Sequence, residues 1–341
     1  MKGTRPHFPE LRRPPRPIPA SHVLTTAAHG RPRLRGVIES GSLTAGIDPG
    51  DFRLPPGTAL RYERPAPELR DYLTSYAVLD SMVEGTRHGC EWMLPGWAQI
   101  WIVMTPEPIR VRIGNRGYEP SPGAVLYGVT SRAMPITARG GVTICIDVSP
   151  LGWARLFSRS AESFRDRLVP LETLLPGPLV SELGHALARS DRALQVKGIL
   201  DDLFARRMGT PNPEEARIRQ IWRAIADEDV ADLTAAASLH GMAPRTASRL
   251  SKQYFGFPPK LLLMRSRFLR ALLTLLDAGP GADHSQVPRG YHDRSHFLRD
   301  GRRFLGMTPR RFLAQPSPYA AAARRARRLV IGTPIPSLDR P

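Results

Sequence analysis

Between Gly290 and Pro309 the sequence reads GYHDRSHFLRDGRRFLGMTP and gathers His292, Asp293, His296 and Asp300 among four arginines. His292 and His296 are four apart, and on a helix such positions share a face. With Asp293 between them the string could hold zinc as a metallopeptidase helix does, Asp standing for Glu. Three features count against that. Asp293 is suited to cap a helix N-terminus, which leaves His292 outside the helix. No further Cys, His or acidic cluster nearby offers a third ligand. Arg294, Arg299, Arg302 and Arg303 would surround a cation with like charge. A second reactive stretch is HGCEW, His88 to Trp92, where Cys90 has a base beside it. A thiol needs such a base to act as a nucleophile. His88 and Glu91 alone are too few to hold a metal. Cys145 sits in the apolar run TICID. No metal and no cofactor are expected.

A functional surface needs support from elsewhere in the chain, and it lies fifty residues upstream in GMAPRTASRLSKQYFGFPP, Gly241 to Pro259. Counted from Gly256 and Gly306, Arg249 and Arg299 both fall seven before. Lys252 and Arg302 fall four before, Tyr254 and Phe304 two before, Pro259 and Pro309 three after. One supersecondary unit is used twice. Upstream, DLTAAASLHG offers Asp232 as a cap, with Leu233, Ala236, Ala237 and Leu239 as an apolar face. Helix, glycine turn and basic second helix is the helix-turn-helix pattern, whose second helix enters the DNA major groove.

From about Asp229 to Phe312 the chain resembles the AraC/XylS family of bacterial transcription regulators. The first unit matches through Leu233, Ala237, Gly241, Arg245, Arg249, Gly256, Pro259, Arg267 and Ala271, the second through GYHDRSHFLRD and GMTPRRF. The resemblance implies two helix-turn-helix units joined by one long helix. PPKLLLMRSRFLRALLTLLDAG fits that connector, with a stripe of Leu261, Met264, Phe268, Leu272 and Leu275. Arg245, Thr246, Arg249, Ser295, His296 and Arg299 are the candidates for base edges, since Arg245 with Arg249 and Ser295 with Arg299 are four apart. Lys252, Arg302 and Arg303 lie later in their helices and are candidates for phosphates. Arg265, Arg267 and Arg270 on the connector are expected at phosphates or paired with acids of the fold. The sequence departs from the family's pattern at Ala247, Ser251, Gly301, Gln286 and Pro288. Gly301 leaves the apolar face of the second helix without a side chain, and Pro288 interrupts the helix that supports it. The second unit is therefore expected to be the weaker one.

These helices need a scaffold. The chain has 341 residues and a formal charge of +18, which suits a nucleic-acid partner. Residues 1–50 are rich in Pro, Arg and Gly and are expected to be disordered, or to precede the natural start. Residues 51–208 are expected to be a sensor and dimerisation domain. In it WAQIWIVM, IRVRI, GAVLYGV and GVTICIDV read as short strands between Pro and Gly turns. SPLGWARLF and AESFRDRLVPLETLL read as helices, and helices continue to Arg206. From Arg61 to Leu175 this region is similar to the cupin-like sensor domains placed before AraC-type readers. GTPNPEEA reads as a linker to a reader at 213–315. Residues 316–341 are expected to be a disordered basic tail, at most a frayed helix, with little order after Val330. The fold class is α+β: a small cupin-like β-barrel followed by helices, then an all-α reader.

Trp92, Trp97, Trp101 and Tyr127 are candidates to line a small-molecule site, against the plainer role of aromatic core. Cys90 and Cys145 form no C-x-x-C. No apolar run reaches the length of a membrane span, and the basic N-terminus lacks a signal-peptide core. The expected protein is a cytoplasmic transcription regulator and not an enzyme. Its partners would be promoter DNA, a small-molecule effector, RNA polymerase if it activates, and a second copy of itself as a homodimer, with no membrane. The alternative is a DNA-modifying or repair enzyme with the same reader and a reactive Cys90, although none of that family's cysteine motifs accompanies it.

Overall fold

Strand residues in the first half of the chain alternate between two buried faces. The computed structural model describes residues 37–82, 90–105, 108–120, 122–279 and 289–341. Ten strands form there: β1 (Thr58–Glu63), β2 (Leu73–Ser81), β3 (Glu91–Met93), β4 (Ala98–Met104), β5 (Arg110–Ile113), β6 (Arg116–Tyr118), β7 (Gly123–Tyr127), β8 (Met134–Thr137), β9 (Gly141–Val148) and β10 (Leu168–Pro170). They make two antiparallel sheets, ordered β1-β2-β9-β4-β7-β10 and β3-β8-β5-β6. The expectation of a single barrel gives way to two facing sheets.

Side chains on a strand alternate between faces. On β4, Ile100 and Ile102 join one core, and Trp101 and Val103 join another. On β9, Ile144 and Ile146 go with the first pair, and Cys145 goes with the second. The large sheet is thus buried on both sides. One side meets helices, and the other meets Ile109, Val111 and Ile113 beside the small sheet.

The helices are α1 (Pro150–Leu156), α2 (Gly177–Ala188), α3 (Val196–Arg207), α4 (Glu215–Ala226), α5 (Leu233–Ser238), α6 (Pro244–Phe255), α7 (Pro259–Ala278), α8 (Arg294–Leu305), α9 (Pro309–Leu313) and α10 (Pro318–Ile331). None of the described helices is long and apolar enough to cross a membrane. The helix expected over 161–175 is instead a 3-10 turn at Ala161–Phe164, the edge strand β10 and a second 3-10 turn. Pro170 lacks the N–H that a helix interior requires, and an edge strand tolerates that loss.

Order begins before residue 51. The Leu43 N–H donates to Glu63 at 2.8 Å and the Ile38 N–H to Asp80 at 3.1 Å, so residues 37–50 are tied to the sheet. Residues 1–36 lie outside the described residues. The tail is also ordered. Ala322, Ala326 and Val330 recur every fourth residue and are fully buried, Ala326 and Val330 on the large sheet's second face. Arg327, 2% exposed, pairs with Asp339 at 2.7 Å and Asp147 at 3.4 Å. Basic composition suggested disorder, whereas the four-residue apolar stripe decides the packing.

The linker expected at GTPNPEEA is instead a junction. Glu215 pairs with Arg155 of α1, and Asn212 donates to Ala154 O at 3.2 Å. One buried apolar cluster runs without a break from Leu69 through Trp153 and Trp222 to Leu262 of α7. The sheet and the C-terminal helices share a core.

Candidate functional site

Caps and glycines set helices α6 and α8. Asp232 caps α5 by accepting the Thr234 N–H at 2.7 Å. Gly241 turns the chain with φ 75°, and Pro244 opens α6. Leu239 lies past the end of α5 and is exposed, so the apolar face there is carried by Leu233 and Ala237. Gly256 closes α6 at φ 75°. A Cβ there would stand 2.1 Å from Val129 Cγ2, so glycine is required both by the turn and by the approach to the first domain. Leu250, Tyr254 and Phe255 face inward, as do Ala247 and Ser251. Helix α6 packs against the 3-10 turn Ala161–Phe164 of the first domain.

On the outer face of α6, Arg245 and Arg249 are exposed, and Thr246 and Lys252 are half-buried. Arg249 is not idle: its guanidinium pairs with Glu214 just before α4 and donates to Gln253 at 2.8 Å.

Asp293 caps α8, accepting the His296 N–H at 2.7 Å. That hydrogen bond holds its carboxyl below the usual carboxylate range. His292 lies before the helix, so the two histidines do not share a helix face. Among the described residues no group of three His, Cys, Asp or Glu side chains could hold a metal ion.

Ser295, Arg299, Arg302 and Arg303 are exposed on one side of α8. His296 leans inward: its ring meets Tyr291 edge-on at 5.0 Å and its Nε2 lies 3.9 Å from the buried Asp300. Tyr291 donates to Asp300 at 2.9 Å, and Arg267 lies over the Tyr291 ring at 5.1 Å. Phe297 and Phe304 both face Phe268 of α7. The expected vacancy at Gly301 is filled, because the Pro309 ring stands where a side chain would begin. Gln286 and Pro288 lie outside the described residues.

The connector stripe packs as expected, with Phe268 and Leu272 fully buried. Its arginines divide. Arg267 and Arg270 face the acids Asp300 at 3.8 Å and Glu228 at 3.7 Å. Arg265, 2% exposed, forms no ion pair among the described residues. It donates to Thr130 O at 2.9 Å and lies over the Trp97 ring at 4.5 Å. Burial lowers its pKa, and the carbonyls and rings offset the lost hydration. Sequence spacing could not foretell this, since Thr130 and Trp97 lie more than a hundred residues away.

A cavity of about 240 Å3 opens between the sheets and α10. Trp92, Trp97, Trp101 and Tyr127 all line it. Two of these rings also reach the C-terminal helices. Trp97 meets Phe255 of α6 edge-on at 5.6 Å, and Trp92 meets Phe312 of α9 at 5.7 Å. The Ala133 N–H donates to Phe304 O at the end of α8, at 2.6 Å. That bond satisfies one of the carbonyls a helix end leaves open.

Both thiols titrate above the ordinary value. Burial pushes Cys90 up, and Cys145, in the sheet interior, well above the ordinary value. An activated thiol needs the opposite shift. His88 lies outside the described residues.

Residues 236–315 match a family model described as a helix-turn-helix domain. No curated protein matches the chain. Among solved structures, fatty-acid-bound wild-type ToxT from Vibrio cholerae is 10% identical, with a TM-score of 0.38, over 66% of this chain and 89% of that one. A second ToxT crystal form is 11% identical, with a TM-score of 0.39, over 75% and 97%. At that distance the reading of this chain rests on its own contacts.

Proposed function

We propose that this chain, which carries an AraC-type helix-turn-helix domain over residues 236–315, is a sequence-specific transcription regulator acting on promoter DNA in the cytoplasm. The observation that carries this reading is the pair of exposed basic faces on α6 and α8, built on matching spacings and joined by the rigid helix α7. Arg245, Thr246, Arg249, Ser295 and Arg299 take the base edges. His296 joins them if it turns out from Asp300. Lys252, Arg302 and Arg303 hold phosphates. A small molecule in the cavity regulates reading, because the cavity's own rings touch both helix-turn-helix units. RNA polymerase is a partner if the regulator activates, and pairing of two copies is compatible with the reading.

The test is selection of bound fragments from randomised DNA, repeated with variants. Arg249→Ala is expected to relax preference at one base pair, an effect of about 1–3 kcal/mol. Lys252→Ala is expected to weaken all sequences alike and to lower the log–log salt slope by about 0.9. Selection of no sequence by the intact protein would overturn the reading.

A further inference from the structure

The cavity's polar groups are not balanced. Its acids are already engaged. Glu91 accepts the Tyr319 and Ala320 N–H groups at 3.1 and 2.9 Å and so caps α10 from β3. Asp147 accepts from Ser75, Gln99 and Arg327. Among the described residues, the buried polar atoms lining the cavity that lack a partner can all donate: the hydroxyls of Tyr127 and Tyr319 and the Trp92 and Trp97 Nε1 groups. Arg324 on the same wall has no acid within ion-pair distance among the described residues. Burial raises both phenols well above their ordinary pKa, so they remain protonated donors at any working pH. The remaining walls are largely apolar, among them Leu79, Met93, Trp101 and Ile136. An apolar cavity of ~150 Å3 holds benzene; by that ratio 240 Å3 holds about ten non-hydrogen atoms.

We infer that the cavity takes a small, mainly apolar molecule bearing one hydrogen-bond-accepting oxygen, received between the hydroxyls of Tyr127 on β7 and Tyr319 on α10. The inference rests on the regulatory reading of the cavity and names the ligand class. It also names a consequence. Tyr127 belongs to the sheet, whereas Tyr319 belongs to the helix that follows α9 after four residues. A ligand held by both stitches α10 to the sheet, next to the Trp92–Phe312 contact.

Three probes of nine non-hydrogen atoms separate the possibilities: acetophenone, its oxygen-free isostere α-methylstyrene, and benzoate. Calorimetric titration of the full-length protein is expected to give acetophenone about ten-fold tighter than α-methylstyrene, on the scale of two net hydrogen bonds. Benzoate tighter still would assign a role to Arg324, and benzoate equal to acetophenone would assign the gain to the phenols alone. Tyr127→Phe and Tyr319→Phe remove hydroxyls that make no bond among the described residues, so both variants keep the fold. Each is expected to cut the oxygen's advantage several-fold while leaving α-methylstyrene binding unchanged. Amide exchange over 318–331 is expected to slow with acetophenone, and not in Tyr319→Phe. Equal binding of the ketone and the hydrocarbon means that water satisfies the phenols, and it overturns this inference alone. Binding of none of the three probes overturns the regulatory reading of the cavity as well.

Discussion

At the scale of single residues, Gly301 is the instructive position. On helix propensity alone, replacing a helical glycine with alanine gains about 1 kcal/mol. A Cβ at 301 would stand 2.5 Å from Pro309 Cδ and 2.7 Å from Cγ. That ring belongs to the start of α9 and has no flexible end with which to retreat. Gly301→Ala is therefore expected to destabilise the protein by about 1–3 kcal/mol, the range for overpacking a filled site. Thermal unfolding checks it, and a rise in Tm would contradict the packing described here. The helix's intrinsic preference and its packing have opposite signs at this residue, and the closer contact wins.

Among the elements, α10 depends most on a single buried group. Burial works against the charge of Arg327, and Asp339 and Asp147 outweigh it, raising its pKa. Burial in turn pushes the Asp147 carboxyl up, against the pull of Arg327. Arg327→Met would leave two buried acids without their cation, and breaking such a pair costs about 3–5 kcal/mol. The variant's pH dependence follows from the sign of the Asp147 shift. A carboxyl with a raised folded-state pKa binds its proton more tightly in the folded state. Its stabilising effect is complete below the unfolded value of about 3.9 and is lost as pH rises through the raised one. Arg327→Met is thus expected to lose more Tm at pH 7 than at pH 4, relative to the wild type measured at the same pH. An equal loss at both would show that Asp147 stays ionised without Arg327.

For the molecule as a whole, the shared core sets the unit of folding. Helix α6 closes on Val129 through Gly256, Arg265 reaches Thr130, and Glu215 binds Arg155. A fragment of residues 210–320 contains α6, α7 and α8. Cut from the sheet, it would expose Trp222, Phe255 and Phe257, all fully buried in the intact chain. It is expected to lack fixed tertiary packing by near-ultraviolet circular dichroism and to bind DNA without sequence preference. The intact chain is expected to unfold in one transition seen alike by Trp fluorescence and by far-ultraviolet dichroism. A well-folded fragment with the full protein's preference would show that the junction adds nothing to reading.

The sequence by itself determined what is encoded within a few residues. The spacing of Arg249 and Arg299 from their closing glycines, the caps Asp232 and Asp293, the connector stripe and the alternation of β4 and β9 are all local. Hydrogen bonds and helix faces at separations of two to seven residues fix them. The four aromatic residues singled out by type do line the cavity. Tertiary structure alone decided what covers each buried face. Arg327 and Asp147 meet across 180 residues, and Arg265 and Thr130 across 135. Pro309 fills the space at Gly301, and a tail whose composition suggested disorder becomes the wall of a cavity. The cause is physical: charge and composition describe how a segment meets water, and whether it meets water depends on a partner supplied by a distant part of the chain.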